Sequence, residues 1–153
     1  LIKRDIVRHY IANGNSTLTD LAHNINLSIP TVTRFIGEMC KEGYIQDFGK
    51  LETAEGRHPN LYGLHAESAY FVGVDIKQFG INIGLSNFRG EIVNLQMGIP
   101  YQFENTQASF DQVCAIVTDF IAEQKINKKK IFNINVNISG RVNSESGYSY
   151  SIF

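Results

Sequence analysis

Apolar positions recur at helical spacing twice between residues 18 and 43. Leu18, Leu21, Ala22 and Ile25 share one helical face, and Val32, Phe35, Ile36 and Met39 make an i, i+3, i+4, i+7 stripe. Asn26 stands where the chain must turn, and Asn tolerates the left-handed conformation better than other non-glycine residues. Ser28 then suits the N-cap of a second helix, and Pro30 suits its first turn, where a missing N–H costs nothing. Gly43 ends that helix. Small Ala22 lets another helix cross closely. Off the second stripe, Pro30, Thr31, Thr33, Arg34 and Gly37 are small or hydrogen-bonding and occupy the exposed front of the N-terminal half.

The same reading extends along the chain. Residues 1–13 predict a helix with Ile2, Ile6, Tyr10 and Ile11 on one face, stopped by Asn13-Gly14-Asn15. After Gly43 the pattern becomes extended: residues 44–48 and 60–64 predict two strands, joined by a loop that carries Lys50, Arg57 and His58. Residues 65–68 read as a junction. Residues 70–76 are a nearly continuous apolar run, expected of a strand covered on both faces. Residues 80–86 alternate, Asn87-Phe88-Arg89-Gly90 turns, and residues 91–97 give a third strand, so these three predict an antiparallel meander. Residues 100–107 read as a loop. Residues 107–124 predict a helix with Phe110, Val113, Cys114, Val117, Phe120 and Ile121 inward. Lys128-Lys129-Lys130 reads as a solvated loop before an alternating strand at 131–138.

Composition bounds the class. The chain has 153 residues, 43% hydrophobic and 19% charged, enough for one average domain or two small ones with a real core. No run of about 18 apolar residues exists, so no membrane span is predicted. No signal peptide is visible, and a start at Leu1 rather than Met leaves room for an upstream segment. Cys40 and Cys114 fall on predicted apolar helix faces and read as buried free thiols, which fits a reducing cytoplasm. No second cysteine or histidine sits at ligand spacing, which argues against a disulfide or a metal site.

Helix, helical pair and hairpin in this order predict a winged helix-turn-helix, whose second paired helix aims its N-terminus at a major groove. The candidate DNA-binding residues are Ser28, Pro30, Thr31, Thr33 and Arg34 on that helix and Lys50, Arg57 and His58 in the wing. Glu52 and Glu55 in the same loop favour a plain solvated connector, so Arg57 is the better phosphate or minor-groove contact. Charge tempers the reading. Residues 1–64 hold seven cations (Lys3, Arg4, Arg8, Arg34, Lys41, Lys50, Arg57) and seven carboxylates (Asp5, Asp20, Glu38, Glu42, Asp47, Glu52, Glu55). Phosphate binding must then rest on local clustering, affinity per subunit should be modest, and a dimer is expected.

The winged helix, then Glu55-Gly56-Arg57-His58-Pro59-Asn60-Leu61-Tyr62, then Phe71-Val72-Gly73-Val74-Asp75-Ile76, resembles the ROK family of sugar repressors and sugar kinases. Asn87-Phe88-Arg89-Gly90-Glu91-Ile92 and Ile138-Ser139-Gly140-Arg141-Val142-Asn143 fit the same order, though the family usually has Pro-Gly where Ser139-Gly140 stands. The resemblance implies an α+β chain: a winged helix-turn-helix over residues 1–64, then at 65–153 the first, truncated part of an actin-like/ribonuclease-H-like (ASKHA) sugar domain. It implies a DNA-binding repressor of carbohydrate genes with a double-stranded operator, a sugar or sugar-phosphate effector and a homodimer or homotetramer. The family's catalytic aspartate, most of its sugar contacts and its cysteine-rich zinc motif would lie past Phe153, so no catalytic, cofactor or metal residue is expected in this chain.

Two other readings compete: a sugar kinase with an added DNA-binding domain, and a winged helix that binds protein. Kinases of the family follow the first-strand aspartate with Ile/Leu-Gly-Gly-Thr-Lys, where glycines let the backbone approach nucleotide phosphates. Here Asp75-Ile76 is followed by Lys77-Gln78-Phe79-Gly80. Long side chains replace both glycines and a phenylalanine replaces the threonine, so phosphorylation of sugar is not expected.

Overall fold

The computed structural model describes residues 1–50 and 59–151. Chain contacts divide the fold into Leu1–Ser68 with Phe88–Gly90, and Ala69–Asn87 with Glu91–Phe153. Arg57 and His58, named above as wing contacts, lie outside the described residues.

In the first unit, helices α1 (Ile2–Asn13), α2 (Leu18–Asn24) and α3 (Ile29–Lys41) bury one stripe each. Ile6, Leu21 and Val32 are fully excluded from water, with Tyr10, Ala22, Ile36 and Met39 packed around them. Strand β1 (Ser16–Thr17) lies between α1 and α2, and β2 (Ile45–Lys50) and β3 (Asn60–Leu64) follow α3. They form an antiparallel sheet in the order β1-β3-β2, with Ile45 and Leu64 closing the core. The sequence reading has no β1, because two residues carry no periodicity. It also set Ile11 inward, yet Ile11 is 60% exposed and His9 is buried instead. Counted from Ile6, a step of three stays on the helical stripe and a step of five leaves it. The cost of burying an imidazole is offset by hydrogen bonding: His9 Nε2 lies 3.1 Å from Ser16 Oγ, and Asn13 Nδ2 lies 3.3 Å from His9 Nδ1. Burial holds the His9 pKa below its ordinary value, opposed by the nearby Asp20 carboxylate.

The second unit is a four-stranded mixed sheet in the order β6-β5-β4-β7, from β4 (Tyr70–Lys77), β5 (Gly80–Asn87), β6 (Ile92–Pro100) and β7 (Ile131–Ile138). The meander β4–β5–β6 is antiparallel as expected, and β7 joins β4 in parallel after the crossover helix α4 (Gln107–Glu123). A small hairpin, β8 (Arg141–Val142) and β9 (Ser149–Ser151), follows. The core gathers Val72, Val74, Ile81, Ile83 and Leu85 with Val113 and Phe120 of α4.

Four expectations need correction, three within this unit and one that also takes in Cys40 of α3. β4 is covered on one face only: Tyr70, Val72, Val74 and Ile76 are buried, while Gly73 and Lys77 are exposed. The apolar run on β4 misled because Gly73 reads as compatible with either face. β6 reaches Pro100, into the expected loop. On α4, Phe110 and Cys114 are exposed and Ser109 is buried, since Tyr101 Oη and Ser109 Oγ hydrogen-bond at 2.6 Å and draw that turn inward. Neither thiol is buried as expected: Cys40 is half-buried, with a pKa raised by burial, and Cys114 is open.

Candidate nucleic-acid interface

The turn between α2 and α3 is built as its residues suggest. Thr17 Oγ1 accepts from the Asp20 amide at 3.1 Å and donates to Asp20 Oδ2 at 2.7 Å, capping α2. Asn26 has φ 55°, unlike every other non-glycine residue described. Ser28 Oγ then accepts from the Thr31 amide at 3.4 Å and shares a 2.8 Å hydrogen bond with Thr31 Oγ1, starting α3. At the far end, Gly43 at φ 83° lets the Tyr44 amide reach the Met39 carbonyl at 3.0 Å.

With Val32, Ile36 and Met39 buried, α3 exposes Ser28, Pro30, Thr33, Arg34, Gly37 and Lys41, with Thr31 half-buried. The hydroxyls on this front are partly engaged. Thr33 Oγ1 donates back to the Ile29 carbonyl at 2.8 Å, leaving acceptor lone pairs and the Thr methyl groups outward. Arg34 is the strongest donor. Its guanidinium lies 4.4 Å from the Phe35 ring centroid, and Nη1 sits 3.6 Å from Glu38 Oε1, too long for a good hydrogen bond. Five N–H groups therefore stay available to a base edge or phosphate. Glu38 is drawn the other way by Lys3 Nζ at 3.8 Å, and Lys3 bonds Glu42 at 2.6 Å. That bond raises the Lys3 pKa, so this cation is spent inside the domain.

The wing begins with a bulge. β2 and β3 pair Asp47 with Tyr62 and Lys50 with Asn60, and the register slips between. Asp47 fixes it: Oδ1 accepts from the Gly49 amide at 2.8 Å and Oδ2 from Asn60 Nδ2 at 2.7 Å, with Gly49 at φ 83°. Lys50 is exposed at the mouth of the wing loop. Between the starts of α2 and α3 and the base of the wing lies an open cleft of about 470 Å³, lined by Thr17, Thr19, Ile29, Pro59, Asn60 and Tyr62. Helix front, cleft and wing base thus come together on one unit. Thr17, Gly49 and Asp47 went unread in the sequence, although a Thr-x-x-Asp run and an Asp-x-Gly run were there to find.

The sheet unit offers no nucleotide loop at the end of β4. Lys77 pairs with Gly80, so Gln78 and Phe79 are a two-residue turn, and Phe79 is 69% exposed. Asp75 is held by its neighbours: Asn137 Nδ2 donates to Oδ1 at 2.8 Å, Asn82 Nδ2 to Oδ2 at 3.3 Å, and Lys77 Nζ is 3.7 Å away. Among the described residues no group of three His, Cys, Asp or Glu could hold a metal, and no helix is long and apolar enough to cross a membrane.

Residues 1–46 match the winged helix-turn-helix DNA-binding family. Over 147 residues the chain is 24% identical to the xylose repressor of Caldicellulosiruptor bescii (strain ATCC BAA-1888 / DSM 6725 / KCTC 15123 / Z-1320), covering 93% of this chain and 36% of that protein. It is 27% identical over 124 residues to a putative xylose repressor of Caldicellulosiruptor sp. (strain Rt8B.4), covering 80% of this chain and 31% of the relative. The chain therefore spans about a third of the length of these relatives. In fold it matches a crystal structure described as a ROK family transcriptional regulator, homolog of the E. coli MLC protein. There the TM-score is 0.65 at 19% identity, over 95% of this chain and 37% of that one. The α+β architecture and the ROK resemblance read from the sequence are both borne out.

Proposed function

We propose that this chain is the DNA-binding domain and the first part of the sugar domain of a ROK-type transcriptional repressor, acting in the cytoplasm on carbohydrate genes. The observation that carries this reading is the front of α3. A capped, well-packed helix presents Ser28, Pro30, Thr33 and Arg34 outward, beside a wing anchored by Asp47. Arg34 is assigned the base edge, where a guanine pair supplies about 1–3 kcal/mol of discrimination. Thr31 and Thr33 offer methyl and hydroxyl contacts in the major groove. Lys50 is assigned to phosphate, and the wing residues Arg57 and His58 are assigned with it on sequence alone.

Partners follow from size and charge. A neutral domain this small makes few phosphate contacts, so operator binding is assigned to a homodimer or homotetramer with half-sites a helical turn or a small multiple apart. The effector is a sugar or sugar phosphate, and the two relatives make xylose the first to try. No zinc is assigned to the residues of this chain. The regulator reading is favoured over the sugar kinase by the repressor relatives and by Lys77, Gln78 and Phe79 in a closed turn where a phosphate loop would need glycines.

The experiment is enrichment of duplexes from a random-sequence pool by the full chain, then titration of the recovered duplex against a shuffled one at low and high salt. A preferred sequence with salt-dependent affinity is expected. Failure to enrich any duplex, or salt-independent binding, would return the winged helix to the protein-binding reading.

A further inference from the structure

Pro30, Arg34, Gly37 and Lys41 follow one another at i, i+4, i+7 and i+11, so they share one line along the exposed front of α3. The residue in the middle of that line has no folded-state reason to be glycine. Its backbone is not in the left-handed region, unlike Gly43 just past the helix end. A Cβ built on Gly37 meets nothing within 4 Å. It is not a terminal residue of α3, and glycine is the poorest helix former after proline. Gly37 therefore weakens α3 without relieving any contact inside the fold, which leaves room for something that approaches from outside.

The flanking charges say what kind of partner that is. Arg34 lies one turn before the gap, held only loosely by Glu38 at 3.6 Å. Lys41 lies one turn after it, exposed and without a salt-bridge partner among the described residues. Bare helix backbone between two cations suits a rod of negative charge that must come close.

We propose that one sugar–phosphate strand of the operator crosses α3 at Gly37, and that the missing side chain sets how deeply the helix enters the groove. Lys41 takes a phosphate on one side of that strand, while Arg34, nearer the helix N-terminus, reaches past it to the base edges. This rests on the DNA-binding reading above.

The test measures Gly37→Ala, Gly37→Leu and Lys41→Gln in the full chain, on the duplex that the wild-type chain enriches from a random pool, together with thermal unfolding. Both Gly37 variants should melt higher than wild type. Affinity should fall in order of side-chain size, about tenfold for alanine and roughly a hundredfold or more for leucine. Lys41→Gln should reduce the slope of log affinity against log salt by about one. Gly37 variants that melt higher yet bind like wild type would overturn the crossing while leaving DNA binding intact. A wild-type chain that enriches no duplex would overturn both.

Discussion

The front of α3 and the outer strand β7 are both exposed amphipathic surfaces, and they expose opposite things. α3 turns Val32, Ile36 and Met39 inward and leaves short polar groups and two cations outside. β7 leaves Ile134, Val136 and Ile138 at 43, 58 and 43% exposure, while Asn133, Asn135 and Asn137 are exposed on its other face. With Phe110 and Cys114 of α4, the apolar side of β7 lines an open cleft of about 540 Å³. Periodicity reports which residues share a face. Whether that face is covered depends on partners that periodicity does not see.

The largest test of this contrast is stability. Ile36→Ala removes side-chain atoms from a fully packed site and should cost about 2–5 kcal/mol in urea unfolding. Val136→Ser changes a residue that is more than half exposed and should cost less than about 1 kcal/mol. Equal costs would mean that β7 is buried in solution after all.

Sequence discrimination comes next. Arg34→Ala should lose about 1–3 kcal/mol of preference between the enriched duplex and a shuffled one, read by fluorescence anisotropy. Val136→Ser should leave that preference untouched. A similar loss from both would break the division between the two surfaces.

A smaller effect belongs to the cap. Ser28→Ala should cost about 1 kcal/mol, because the Thr31 amide at the start of α3 loses its acceptor. Circular dichroism of thermal unfolding measures it.

The smallest effect is in pH. The folded state holds His9 below its ordinary pKa, so the unfolded chain takes up the proton first as pH falls. The stability that depends on neutral His9 is complete above about pH 6.5 and is lost as pH drops below it, toward the lowered folded pKa. Urea midpoints across that interval should fall on acidification, and His9→Gln should flatten the dependence.

The helical unit was legible because its signals were local. Asn26, Ser28, Pro30 and Gly43 each act within a turn, and each stands where its chemistry predicts. Reading failed where the deciding partner was distant in sequence or the element too short. β1 exists because Tyr62 and Leu61, far along the chain, pair with Ser16 and Thr17. Phe110 and Cys114 continue the apolar pattern of α4, but the sheet beneath them is used up by Val113 and Phe120. The position of Arg34 is legible in the sequence, whereas its loose hold on Glu38 and the open space at Gly37 depend on how the chain folds.

The central claim is that α3, and not the apolar face of the sheet, meets DNA. The most direct measurement is amide chemical-shift mapping of the isotopically labelled chain during titration with the enriched duplex. The account predicts shifts concentrated at Ser28, Pro30-flanking amides, Thr33, Arg34, Gly37 and Lys41, with Lys50 beside them and β7 silent. Shifts centred on Ile134, Val136 and Ile138, with α3 unmoved, would contradict it.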